Sequence, residues 1–168
     1  VCDPCTNPPP RSTEGAHGLT HPNIYRDVLD FNRAVLPGMV DRTEHGPSVP
    51  PDNSRMLGAA LVWEEFQELM AALGVRFHDA RGRMLVSSEA EPDIEGIVDA
   101  AADLFYVILG VVIRFGINEE QFHAVWREVT RANMEKTNGP LRNDGKRLKP
   151  ENWRAPDIAS CLWPKGEP

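Results

Sequence analysis

Five carboxylates stand at helical spacing in two separate stretches of the chain. In Trp63-Glu64-Glu65-Phe66-Gln67-Glu68 the three glutamates fall within one arc of about 100° when residues advance by ~100° each, and Leu57, Leu61 and Ala72 share that arc. Further on, Asp99 and Asp103 lie four apart on one face, Tyr106 and Gly110 continue that face, and almost everything else from Ile97 to Ile113 is apolar. These acids therefore sit on stripes that otherwise belong to a core, not on a solvated face. Gathering carboxylates against a core is costly unless something neutralises them, and neither arc holds a Lys or Arg. Magnesium answers the need, since it takes carboxylate oxygens and keeps positions for water and phosphate; manganese is the natural substitute. A solvent-facing Glu-Glu pair is the plainer explanation of Glu64 and Glu65 alone. The repetition on a second, far more apolar segment tips the balance toward a metal.

A third stretch offers the complement. Phe122, Trp126, Val129, Asn133 and Lys136 form an inward stripe that ends in an amide and an ammonium, groups that suit a phosphate chain beside a metal. The competing role for Lys136 is to complement a helix C-terminal dipole. The segment after it, GPLRNDGKRLKPENWR, gathers Arg142, Lys146, Arg147, Lys149 and Arg154. That local reversal of sign suits phosphates or an acidic neighbouring subunit, with a solvated tail as the alternative.

Helices must position these groups. A first helix is expected from about His21 to Leu36 on the stripe Ile24, Val28, Phe31 and Val35, ended by Pro37 and Gly38. A polar loop with four prolines fills 37–52. The second helix starts near Asn53 or Ser54, either able to cap it, and reaches Gly74. A polar, turn-like stretch around HDARG and SSEAEPD follows. The third helix runs from about Asp93 to Gly116. Asn118 and Gln121 form a capping-box pattern that opens a fourth over 119–136. Strands are nearly absent, apart from one small hairpin expected around Asn143-Asp144-Gly145. The result is an all-α bundle of four to five helices. It divides into a disordered tail over 1–20, a helical catalytic domain over 21–136 and a basic arm over 137–168.

Composition narrows the function classes. The chain has 168 residues, 41% hydrophobic and 26% charged, with a net charge of -7. That excludes a general nucleic-acid binder, which needs a basic face to displace counterions, but not a nucleotide substrate. The first fifteen residues have no apolar run of the signal-peptide kind. The uninterrupted apolar segment Leu104–Ile113 is ten residues long, well under the roughly 20 a membrane span needs, so the third helix is expected to be a buried core helix and no membrane partner is expected. Three cysteines, two of them in the Pro-rich beginning, make no disulfide framework, which points to the cytoplasm. Cys2, Cys5, His17 and His21 approach zinc-finger spacing, but eleven residues separate Cys5 from His17, three consecutive prolines interrupt them, and the apolar residues that pack such a finger are missing.

These residues resemble the all-α nucleoside triphosphate pyrophosphohydrolases related to MazG and phosphoribosyl-ATP pyrophosphohydrolase. The family pattern is EExxE on one helix and ExxD on the next. The first half is intact in Glu64-Glu65-Phe66-Gln67-Glu68; the second stands as DAAADLFYVILG, followed by RFGI and a helix ending RANMEK. The closing NDGKRLKPENWRAPDI is similar to the arm of the dimeric, dUTPase-like branch, and the likeness spans about 24–158. The chain departs from the pattern at Ala100, where the family has Glu; Asp99 is the nearest acid, and Glu95 lies a turn back.

The resemblance implies a MazG-like bundle completed by oligomerisation, as a homodimer or homotetramer, in the cytoplasm (of the host, for a phage-encoded chain). It implies Mg²⁺-dependent hydrolysis of a nucleoside triphosphate to monophosphate and pyrophosphate, with dUTP favoured and dGTP or another dNTP open. Glu65, Glu68 and Asp103 would be metal ligands, Asp99 a less regular fourth, and Glu64 a ligand or the base that activates water. Asn133, Lys136 and Lys146 would hold phosphates. Asn32, Trp63 and Tyr106 are candidates to contact the rest of the nucleotide, although Trp63 also suits a core.

Overall fold

The computed structural model describes residues 23–35, 42–80 and 83–164. The tail over 1–20 and the Cys2, Cys5, His17, His21 set lie outside the described residues. Five α-helices and one two-stranded sheet follow in the order α1 (Ile24–Val35), α2 (Asp52–Ala72), β1 (Val75–Ala80), β2 (Arg83–Ser88), α3 (Ile94–Arg114), α4 (Glu119–Glu135) and α5 (Ile158–Leu162), with a 3-10 turn at Lys136–Asn138. The all-α reading holds.

The central feature is α2 packed along α3. The two run antiparallel: Gly58 of α2 faces Val111 and Arg114 near one end, and Ala72 faces Gly96 near the other. α2 starts one or two residues before the expected caps. Its N-cap is Pro51, without a side-chain cap bond, and the Asn53 carboxamide accepts from the next residue's N–H. Gly74, at φ 66°, lets the chain leave the helix in the left-handed region.

The segment after it was expected to be a polar turn and is instead an antiparallel hairpin, registered Val75↔Ser88 through Ala80↔Arg83. Val75 and Phe77 alternate with polar residues as a half-buried strand requires, but His, Asp and Arg around the turn mask that signal. The hairpin closes on itself: the Gly74 carbonyl accepts from Glu89 N–H at 2.7 Å, and Asp93 N–H donates to Ala72 O at 2.8 Å. α2 and α3 thus form one helical hairpin with a β excursion at its tip.

α3 begins where expected, with the Asp93 carboxylate accepting from Glu95 N–H at 3.1 Å. α4 begins with the expected capping box, Asn118 and Gln121 bonding reciprocally at 2.9 and 3.0 Å. The small core holds Tyr25, Val28 and Leu29 of α1 against Leu109 and Ile113 of α3, with Tyr106 and Phe122 packed beside them. The stripe expected for α1 is therefore rotated. Only Val28 of that set is buried, while Ile24, Phe31 and Val35 are about half exposed, because α1 meets α3 through positions i, i+3 and i+4 starting at Tyr25. The Tyr25 hydroxyl donates to Ile117 O at 2.6 Å and fixes that face.

α3 is not the buried core helix its composition suggested. Ala100, Leu109, Gly110, Ile113 and Arg114 are buried, but Ile94 is 77% and Val98 66% exposed, with Phe105 and Ile108 also open. By length and composition it is apolar enough to cross a membrane, yet it lies along α2 and α1.

After α4 the chain turns back along it. Leu141 and Arg147 form an isolated antiparallel bridge around the expected Asn143-Asp144-Gly145 turn, where Gly145 has φ 85°. The Trp153 indole N–H donates to Ala132 O at 2.7 Å. The short helix α5, which five residues of weak pattern did not announce, is tied to the start of α4 by Gln121 Nε2 donating to Leu162 O at 3.0 Å.

Candidate active site

The α2–α3 pair brings the two acidic stretches together at Glu65. Its carboxyl titrates above the usual value of 4.5, first because it is partly buried and then because Glu68, Asp103, Glu64 and Asp99 all repel its charge. Glu65 is half-buried, whereas Glu64, Glu68, Asp99 and Asp103 are exposed. The expectation that the carboxylates lie against a core is corrected to this extent: only Glu65 is partly covered, so water solvates the other four.

The donors are all hard oxygens under mutual repulsion, which suits a divalent cation. Among the described residues no three acidic, His or Cys groups converge closely enough to enclose an ion as placed. Ala100, where the resemblance implies Glu, is buried at 6% exposure, so a methyl group fills that position. Asp99 is exposed beside it and acts on Glu65 less than Asp103 does.

The other sequence-derived residues fall in separate places. Asn32 lies over Gly110 of α3, where an added Cβ would be 3.5 Å from its amide nitrogen, and that nitrogen donates to Val28 O at 2.8 Å. Tyr106 stands edge-on to Phe31 at 5.4 Å, its hydroxyl donating to Asp27 O at 3.2 Å. Trp63 stacks on Phe66 at 5.8 Å, and Phe66 continues to Phe77 of β1 at 5.8 Å. That places Trp63 roughly 200° around α2 from Glu65, on an aromatic row leading to the hairpin. Trp126 is 55% exposed and Asn133 is exposed, so the stripe expected to face inward on α4 is largely open; Ala132 is the buried residue there. Lys136 Nζ donates to Asn133 Oδ1 at 2.7 Å. Lys146 is exposed, and its backbone N–H donates to the Asp144 carboxylate at 3.2 Å.

Sequence reasoning passed over Arg114. It is 8% exposed, its Nε has no hydrogen-bond partner, and burial pushes its guanidinium below the ordinary arginine value. Its place at the end of an apolar run was the available signal. Two hollows lie away from the carboxylates. One of about 980 Å³ runs between the 43–47 loop, α4 and α5, and one of about 530 Å³ lies between α1, α3 and α4. Neither is lined by Glu64, Glu65, Glu68, Asp99 or Asp103.

A family model for phosphoribosyl-ATP pyrophosphohydrolase matches residues 36–133, more than half of the chain and all five carboxylates. No curated protein matches the chain. With the acidic residues of α2 and α3 falling inside the matched region, the chain belongs to the phosphoribosyl-ATP pyrophosphohydrolase family, part of the MazG-like superfamily, whose chemistry is nucleotide pyrophosphohydrolysis.

Proposed function

We propose that the protein hydrolyses a nucleoside triphosphate to the monophosphate and pyrophosphate with the help of Mg²⁺. The observation that carries this reading is the convergence of Glu68, Asp103, Glu64 and Asp99 on Glu65, each of which raises its pKa. Glu65, Glu68 and Asp103 are the proposed ligands and Asp99 a fourth, reached by a shorter side chain. A divalent ion held there would screen the phosphate oxygens and stabilise the leaving pyrophosphate. Glu64 is the proposed base for the attacking water. Asn133, Lys136 and Lys146 are proposed to hold the phosphates.

dUTP is the favoured substrate, on the likeness of the C-terminal arm to the dUTPase-like branch, with dGTP or another dNTP as the alternatives. A second reading, cleavage of phosphoribosyl-ATP, is favoured by the description of the matching family. A third, a non-catalytic nucleotide-binding bundle, draws on Ala100 standing where the family has Glu. The proposed assembly is a homodimer or homotetramer, supported by the exposed apolar face of α3 at Ile94, Val98, Phe105 and Ile108.

Incubating the protein with Mg²⁺ and each dNTP, each NTP and phosphoribosyl-ATP, and identifying the products, separates these readings. Monophosphate and pyrophosphate in equal amounts from a dNTP, with dUTP turned over fastest, is expected. Turnover of phosphoribosyl-ATP alone would establish the second reading, and no turnover of any substrate would leave the non-catalytic one.

A further inference from the structure

Arg114 closes α3 with a guanidinium that no acid of the described residues answers. The residue is 8% exposed, and its Nε is enclosed without a hydrogen-bond partner. Among the described residues it forms no ion pair, in a chain of net charge -7. The carbonyls that end α3 are engaged elsewhere. Those of Val111, Val112 and Ile113 accept the backbone N–H groups of Phe115, Ile117 and Gly116, and the Phe115 carbonyl accepts that of Ser48 at 2.9 Å. Complementing the helix dipole therefore gives this charge no acceptor.

The packing makes room for the guanidinium at a cost. A Cβ on Gly58 would stand 3.2 Å from Arg114 Nη1, so α2 gives up a side chain where the guanidinium lies. A glycine inside a helix is itself destabilising, and a buried charge without a counterion is more so. A second guanidinium is held nearby. Arg42 Nε is also enclosed without a partner, while its Nη2 donates to Ser48 Oγ at 2.7 Å. The 42–48 loop that carries it is bound to the end of α3 through Ser48 N–H and Phe115 O. A Cβ on Gly116 would stand 3.0 Å from Arg42 O and 2.2 Å from Gly46 O, so only glycine, here at φ 77°, allows the loop to approach. Neither Glu44 of that loop nor any other described acid pairs with Arg42 or Arg114.

We infer that the junction of α3 with the 42–48 loop is a site for a compact oxyanion, a phosphate or a carboxylate, with Arg114 as its main ligand and Arg42 beside it. A guanidinium fork offers paired N–H donors to two oxygens of such a group, and the negative charge removes the penalty of burial. The oxyanion is either free in solution or carried by a second copy of this chain. Arg114 lies roughly 16 Å along α3 from Asp103, so this role is separate from the hydrolytic reading and does not depend on it.

The test is thermal unfolding of the full chain in chloride buffer without divalent metal, with inorganic phosphate as the probe. Wild type gains about 3 °C or more as phosphate rises to ~50 mM. Arg114→Met gains nothing, Arg42→Met gains less than wild type, and Arg76→Gln, an equal loss of charge on the hairpin, gains as much. In dilute, phosphate-free solution Arg114→Met melts at or above wild type, because an apolar stem of similar length replaces an unpaired buried charge. If a second copy supplies the oxyanion, phosphate adds nothing. Wild type then melts higher as protein concentration rises, and Arg114→Met flattens that dependence. Three results overturn the site: a wild type that responds to neither variable, an Arg114→Met protein that responds as wild type does, or one that melts well below wild type in dilute, phosphate-free solution.

Discussion

Glu65 is where sequence, packing and chemistry meet. Its folded carboxyl titrates above 4.5 through partial burial and four neighbouring acids. A raised carboxyl stabilises the fold only while it is protonated, so that contribution is complete below pH 4.5 and is lost as pH rises through the raised value. Without divalent metal, thermal stability is expected to fall over that window; Mg²⁺ restores several degrees at pH 7.5 and almost nothing at pH 4. Glu65→Gln should flatten both effects. An equal Mg²⁺ shift at the two pH values in a differential scanning experiment would count against a cation among these acids.

The three glutamates and Asp103 were legible because a 3.6-residue period carries them to one side of each helix. Their exposure was not legible, because a periodic pattern names a face and not what covers it. Gly58 is a second residue-scale test. A Cβ there would stand 2.9 Å from Val111 Cγ2 and 3.2 Å from Arg114 Nη1, so Gly58→Ala should cost about 1–3 kcal/mol in urea unfolding. No loss would mean that the α2–α3 crossing is looser than described.

At the scale of elements, the ends of α3 and α4 were readable because capping is local: Asp93, Asn118 and Gln121 satisfy N–H groups within three residues. The face of α1 was misjudged because it depends on which positions α3 meets, a tertiary matter. The β hairpin was missed because its pairing is decided across the strands. The arm depends on Glu128, whose carboxyl is pulled down to about 2 by the Arg131 guanidinium first and the Asp157 N–H second. A depressed carboxyl stabilises above its unfolded value of 4.5 and loses that contribution as pH falls through about 2. The arm should therefore stay docked at neutral pH and loosen in that acid window. Arg131→Gln should release it at neutral pH, speeding amide exchange over 153–158 by about tenfold while α2 and α3 keep their protection. Unchanged exchange there would show that the arm is held without the Arg131 bridge.

For the whole molecule, the composition of α3 announced a helix wanting cover on several sides, and a single chain covers only some of them. Phe105 and Val98 stand open at 48% and 66%. Val98→Glu should shift the protein toward a monomer in sedimentation velocity and lower its activity; a wild-type protein that sediments as a monomer at working concentration would leave the apolar face unexplained.

The central claim is that the carboxylates of α2 and α3 act as one hydrolytic site. Pyrophosphate release from the best triphosphate, followed in Mg²⁺ for wild type, Glu65→Gln and Asp103→Asn, tests it most directly. Turnover that stops on chelation, and falls about 100-fold or more in each folded variant, is the expected result. Wild-type rates in both variants would contradict it.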